Sequence, residues 1–227
     1  MSSGKQAAGR AAAELVEDGM RLGLGTGSTV AHFLDALAER GLDVRGVPTS
    51  EATASRCREL GIALLDLAAA DRLDLAVDGA DELTEELVLT KGGGGALLRE
   101  KVVAGLADRF VVIATPDKVV PLLGASFPLP VEVAAFAVPV VTRRLHALGA
   151  TSVAARDDGS YRTDNGNPIL DATFASGIED PEVLDVELGL VAGVLEHGIF
   201  TDMADLAILG ATDGSVTHFE RPTGTAG

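Results

Sequence analysis

From Met20 to Ala114 short apolar runs alternate with helical patterns, and several of the turns between them are rich in glycine. Nothing else in the chain limits its fold so strongly. Strands apolar along most of their length, separated by amphipathic helices, form a mostly parallel sheet with helices on both faces. Residues 5–18 predict an Ala-rich helix, Met20–Leu24 a strand and Thr29–Arg40 a helix. Val44–Pro48, Ile62–Leu65 and Leu73–Val77 follow as strands, with a helix at Glu51–Leu60 and a weaker strand at Glu86–Thr90. Ala96–Ala107 is helical, and Phe110–Ala114 is a β-branched strand.

The pattern changes after Phe127-Pro128-Leu129-Pro130. Strands at 129–134, Thr151–Ala155, Ile169–Thr173 and Gly193–Ile199, with helices at Val138–Leu148 and Pro181–Leu190, give the order β-α-β-β-α-β. That is the order of a ferredoxin-like unit. Tyr161–Thr163 leads into the turn-rich Asp164–Pro168. Ala204–Leu209 then returns as a strand of the first sheet. The expected fold is α/β, a Rossmann-like domain over residues 1–128 and 204–227 with an inserted ferredoxin-like α+β domain over 129–203.

Composition narrows the function. Of 227 residues, 34 are acidic and 18 basic, a net charge of −16 without a basic cluster, and such a chain repels nucleic-acid phosphates. Apolar runs fall far short of the ~20 residues that span a bilayer. The N-terminus lacks the apolar stretch of a signal peptide, and one cysteine, Cys57, makes no internal disulfide, so a cytoplasmic protein is expected. His32, His146, His197 and His218 lack metal-ligand spacing, and no metal or other cofactor is expected.

Three segments carry candidate chemistry. Gly25-Thr26-Gly27-Ser28-Thr29 ends a strand and opens a helix, where free amides and the helix dipole favour an anion. It matches neither the dinucleotide fingerprint, since Val30 replaces a glycine, nor a Walker loop. A plain strand–helix turn capped by Ser fits it equally. Asp78-Gly79-Ala80-Asp81 closes a strand at the carboxyl end of the sheet, where ligands of open α/β sheets bind. These carboxylates suit a polyol or proton transfer, or merely a turn cap and a solvated side chain. Lys91 precedes four consecutive glycines, Gly92–Gly95, a backbone able to cradle an oxyanion. On the helix that follows, Glu100 lies off the apolar face of Leu97, Leu98, Val102, Val103 and Leu106, as a solvated glutamate would. Lys118 follows the strand Phe110–Ala114 and reads as a surface lysine close to the same crevice.

With Phe127–Val133 and Thr163–Asn167, these segments resemble, in order along nearly the whole chain, the ribose-5-phosphate isomerases of the A type. The resemblance implies the two-domain fold above and a homodimer or homotetramer. It implies metal-free interconversion of D-ribose 5-phosphate and D-ribulose 5-phosphate through an enediolate, in the non-oxidative pentose phosphate pathway. By position it implies that Glu100 is the catalytic base, with Asp78, Asp81 and Lys91 as its catalytic neighbours. Substrate contacts are implied for Thr26, Gly27, Ser28, Thr29, Asp78, Gly79, Ala80, Asp81, Lys91, Gly92, Gly93, Gly94 and Lys118, and for Lys5 near the phosphate. Four glycines where three are common, and Thr201-Asp202-Met203 where many members carry a basic residue, depart from the family's pattern.

Two other readings compete. A sugar-phosphate-sensing module would keep the glycine turn without the base. A hexose-phosphate deaminase or lactonase would place His in the matching segments, and none lies there. Only four residues are Lys (Lys5, Lys91, Lys101, Lys118), and three of them fall in segments assigned to substrate. The acidic remainder is the kind of surface that stays soluble at high salt, so a halophilic source is an expectation.

Overall fold

The structure, a computed structural model, describes residues 2–221. The outermost residues of the first expected domain, 1 and 222–227, lie outside the described residues. The chain opens with α1 (Ser2–Ala13), β1 (Arg21–Leu24), α2 (Ser28–Arg40), β2 (Arg45–Pro48), α3 (Glu51–Leu60) and β3 (Ala63–Leu64). It continues through β4 (Leu75–Asp78), β5 (Glu82–Leu83), β6 (Leu89–Thr90), α4 (Leu97–Gly105) and β7 (Phe110–Ala114). Next come β8 (Leu129–Val133), α5 (Val138–Ala147), β9 (Ser152–Ala155), β10 (Ile169–Thr173), α6 (Pro181–Gly189) and β11 (Val194–His197). The short β12 (Ile199–Phe200), then β13 (Leu206–Gly210) and β14 (Val216–Glu220), complete the described chain.

Seven strands form the main sheet in the order β14-β13-β7-β4-β1-β2-β3, parallel except for β14. All five residues of β7 are buried, because both faces of the sheet are covered at its centre. Val111 and Ile113 pack with Leu22, Leu24, Phe33 and Ile208 under α1 and α2. Phe110, Val112 and Ala114 pack on the opposite face with Leu83, Leu89 and Phe200, from the three-stranded sheet β12-β6-β5. Burying each such large apolar side chain contributes about 1.5–3 kcal/mol, so the two-sided burial of β7 makes it the anchor of the sheet.

The four-stranded sheet has the order β11-β8-β10-β9, with all pairings antiparallel. Numbered within this unit the order is 4-1-3-2, and α5 and α6 are its two helices, a ferredoxin-like arrangement. Leu129, Val131 and Val133 of β8 meet Val141 and Leu145 of α5 and Leu184 and Leu188 of α6 in its own core. The chain then returns through β12, which pairs with β6, to β13, which pairs with β7.

α1 ends earlier than the apolar pattern implies, at Ala13 rather than residue 18. The Arg40 guanidinium donates to the carbonyls of Ala13 and Val16, satisfying the groups that another turn of helix would have used.

Candidate active site

The carboxyl ends of β1, β4 and β7 open into a cleft of about 190 Å³. β1 leads into the turn Gly25–Gly27, where a Cβ on Gly25 would drive into the Asp78 carboxyl, so the close approach requires glycine. Asp78 Oδ1 accepts from the amides of Thr26 (3.0 Å) and Gly79 (2.7 Å), joining the ends of the two strands. The Thr26 hydroxyl is tied to Thr49 Oγ1 and Ser50 Oγ, both at 2.8 Å, where Ser50 caps α3 by accepting from Thr53 N. Gly27 rather than a serine occupies the cap position of α2. Ser28 is the first helical residue, and its hydroxyl accepts from Lys5 Nζ at 2.7 Å.

Thr26 to Thr29, Gly79 to Asp81, Lys91 to Gly94, Glu100, Lys118 and Lys5 all line this cleft. Asp78 does not. It lies beneath the floor, 3% exposed, and acts through what it touches. The lining also includes Ala114 and Thr115, which the sequence reading passed over. The available signal was the position of Thr115 directly after β7, in the same crevice as Asp78 after β4.

Lys91 is buried. Its ammonium donates to the carbonyl of Gly79 at 2.6 Å and lies 3.0 Å from Asp78 Oδ2 and 3.2 Å from Glu100 Oε2. It also faces the Phe200 ring, 5.5 Å from the centroid. Burial disfavours its charge, but Asp78 and Glu100 outweigh that and hold its pKa above the usual lysine value.

Glu100 is 5% exposed, in contrast to the solvated position its helical wheel implies. Glu100 alone of α4 lines the cleft, while Arg99 reaches Glu51 and Asp164 and Lys101 reaches Glu196. Burial first, and then the Asp78 charge, push its pKa up to about 8. Its Oε2 is in ion-pair contact with Lys91 and is shielded from solvent. Asp81 is also raised, by burial, although the Gly93 amide donates to its Oδ2 at 2.7 Å. The amides of Gly92 and Gly94 have no partner among the described residues.

One side of this cleft thus offers a helix start with Lys5, Ser28 and Thr29, and another offers a buried carboxyl group whose pKa is raised to about 8. The described residues bring together no three side chains able to hold a metal ion. Such a site suits an anionic substrate and a proton transfer.

The chain is similar to known proteins along nearly its whole length. The chain is 50% identical over 220 residues to ribose-5-phosphate isomerase A of Sinorhizobium medicae, covering 92% of this chain and 94% of the relative. It is 51% identical over 220 residues to that of Caulobacter vibrioides, covering 93% and 96%. A solved D-ribose-5-phosphate isomerase in complex with phospho-erythronic acid superposes with a TM-score of 0.91 at 40% identity, covering 96% of this chain and 97% of the other. The Plasmodium falciparum enzyme gives 0.92 at 32% identity, covering 98% and 100%. The model of ribose 5-phosphate isomerase A (phosphoriboisomerase A) matches residues 45–214, a span that holds Asp78, Lys91 and Glu100, and the chain belongs to that family.

Proposed function

We propose that the cleft interconverts D-ribose 5-phosphate and D-ribulose 5-phosphate, with Glu100 moving the proton between carbon 1 and carbon 2. The observation that carries this reading is the Glu100 carboxyl group, buried on the cleft wall beside Lys91 with its pKa raised to about 8. A base poised there takes a carbon-bound proton more readily than an ordinary glutamate.

The substrate phosphate sits against Lys5, Ser28, Thr29 and Lys118, and the opened sugar runs between Gly79–Asp81 and Lys91–Gly94. Asp81, half-buried and raised in pKa, exchanges hydroxyl protons as the ring opens. Glu100 removes the carbon-2 proton of the aldose and returns it to carbon 1, while the hydroxyl proton passes from oxygen 2 to oxygen 1, so that carbon 2 becomes the ketone and carbon 1 the alcohol. The enediolate oxygen gains its negative charge beside Lys91 and the unpartnered amides of Gly92 and Gly94, donors fixed before the reaction begins. Asp78 lies beneath them, anchoring Lys91 and both strand ends.

In this reading the enzyme serves the non-oxidative pentose phosphate pathway in the cytoplasm, with residues 1–128 and 204–227 as the catalytic domain and 129–203 as the insertion. Phe136 and Leu190, 98% and 80% exposed on the insertion, support assembly into a homodimer or homotetramer. No described helix is long and apolar enough to cross a membrane.

The test is Glu100→Gln in an assay that couples ribulose 5-phosphate formation to a visible product. General-base loss lowers kcat by about 10²–10⁴ while the fold persists. Turnover within about tenfold of the unaltered enzyme would remove Glu100 from the chemistry. An unaltered chain that binds ribose 5-phosphate and never turns it over would instead favour a sensing module.

A further inference from the structure

No described residue of 129–203 lines the cleft, yet that segment meets the polar groups on the other side of the tetraglycine loop. The Lys91 amide donates to the carbonyl of Gly198 at 2.8 Å. Arg156 Nη1 donates to the carbonyls of Gly92 (3.1 Å) and Gly93 (3.2 Å), and Tyr161 OH to that of Gly94 (3.3 Å). We propose that Arg156, with Tyr161, is a positioning residue for the isomerisation, holding the glycine carbonyls outward so that the Gly93 amide meets Asp81 and the Gly94 amide faces the reacting sugar.

The reason lies in the peptide plane. The carbonyl of one residue and the N–H of the next belong to one rigid trans unit and point in opposite directions. Fixing the Gly92 carbonyl, which also accepts from the Gly95 amide at 2.9 Å, on Arg156 therefore turns the Gly93 N–H the other way, where it donates to Asp81. Fixing the Gly93 carbonyl turns the Gly94 N–H away from Arg156, and that amide donates to nothing in the described protein. Four glycines in a row have no conformational preference able to select this arrangement unaided.

The clamp is built as a unit. Asp171 on β10 takes the Arg156 guanidinium in a two-point grip, Nη2 to Oδ1 at 2.5 Å and Nε to Oδ2 at 2.9 Å. Arg156 lies over the Tyr161 ring, 5.4 Å from its centroid. Between them Asp157, Asp158 and Gly159 take φ of 49°, 52° and 82°, three consecutive left-handed residues of which two are not glycine. Such strain persists only where the surroundings over-determine it, and here the turn brings Arg156 and Tyr161 onto one loop. Gly95, at φ +80°, completes the fit, since a Cβ there would strike the Tyr161 hydroxyl.

The inference rests on the isomerase reading, and Arg156→Ala tests it through kcat, KM, inhibition by phospho-erythronic acid and melting temperature. With the folded enzyme, kcat falls about 10²-fold while KM stays within about threefold. The inhibition constant of phospho-erythronic acid, whose carboxylate imitates the planar enediolate, rises with the loss of kcat/KM, whereas that of inorganic phosphate is unchanged. Added guanidinium restores part of the turnover of Arg156→Ala and none is gained by the unaltered enzyme. Arg156→Lys, which keeps the charge but loses the two-point grip, carries the test if the alanine variant fails to fold, and its kcat falls about tenfold. Folded variants with kcat within about twofold of the unaltered enzyme, or losses that follow only the unfolded fraction without guanidinium rescue, would overturn the role. An inactive Glu100→Gln beside a fully active Arg156→Ala would remove Arg156 alone, whereas a fully active Glu100→Gln would remove the reading beneath it.

Discussion

The two glycine-rich turns that meet at the cleft are braced by opposite means. The turn Gly25–Gly27 is held from within its own sheet, by the Asp78 carboxylate on two amides and by the hydroxyl cluster of Thr26, Thr49 and Ser50. The turn Gly92–Gly95 is held from outside, by Arg156 and Tyr161 more than sixty residues further along the chain. The first is complete once the parallel strands pair. The second is complete only when the antiparallel unit has docked. If the proposed roles hold, substrate binding and turnover depend on different parts of the molecule.

The largest test of that contrast is Asp78→Asn, which touches both turns at once. Loss of its charge frees Lys91 and weakens the amide grip, and kcat/KM should fall by about 10²–10³. The pH profile adds a sign. With Glu100 as the ionised base of the proposed mechanism, kcat/KM of the unaltered enzyme should rise with pH through about 8. Removing the Asp78 charge, the second cause of the raised pKa, moves the inflection lower; an unmoved inflection would show that Asp78 and Glu100 are not coupled. Stability has the opposite slope. A carboxyl whose pKa is raised on folding contributes stability that is complete below its unfolded pKa and lost as pH rises through about 8.

A smaller effect isolates the first turn. Ser28→Ala with Thr29→Ala should raise KM about tenfold, the equivalent of about 1.4 kcal/mol, and leave kcat nearly unchanged. A fall in kcat with constant KM would place these hydroxyls at the reacting carbons and dissolve the division between the turns. Smallest is Ser50→Ala, which removes the α3 cap and should lower unfolding free energy by about 1 kcal/mol in denaturant titration. Unchanged stability would mean that Thr53 and Thr26 hold the turn without it.

The scaffold was largely legible because its signals are local. The boundaries of α3 and β7 match the expected ones, the first set by a Ser50 cap and a glycine at its end, the second by a run of β-branched residues. β4 was read as Leu73–Val77 but runs Leu75–Asp78, because a buried, ion-paired Asp78 pairs with Val112 where a sequence reader expects a polar loop. β14 went unread. It is a mostly exposed edge strand whose Thr217 and His218 show no apolar alternation. Within the site, the motif residues were legible, but the state of Glu100 was not, since its burial depends on partners from β4 and from the loop before α4. Arg156 carried no signal of its own, being one of 14 arginines whose targets are backbone carbonyls 63 and 64 residues away.

The position of β13 has a consequence for synthesis. β7 pairs with β4 on one side and with β13 on the other, but residues 115–205 must leave the ribosome between them. At about 5–20 residues per second that interval is on the order of 5–20 s. Throughout it, the most apolar strand of the sheet presents an open edge, the condition under which nascent chains associate wrongly. A chain released before residue 206 would keep that edge permanently, so the last strands are the seal on the nascent protein as much as they are part of its sheet.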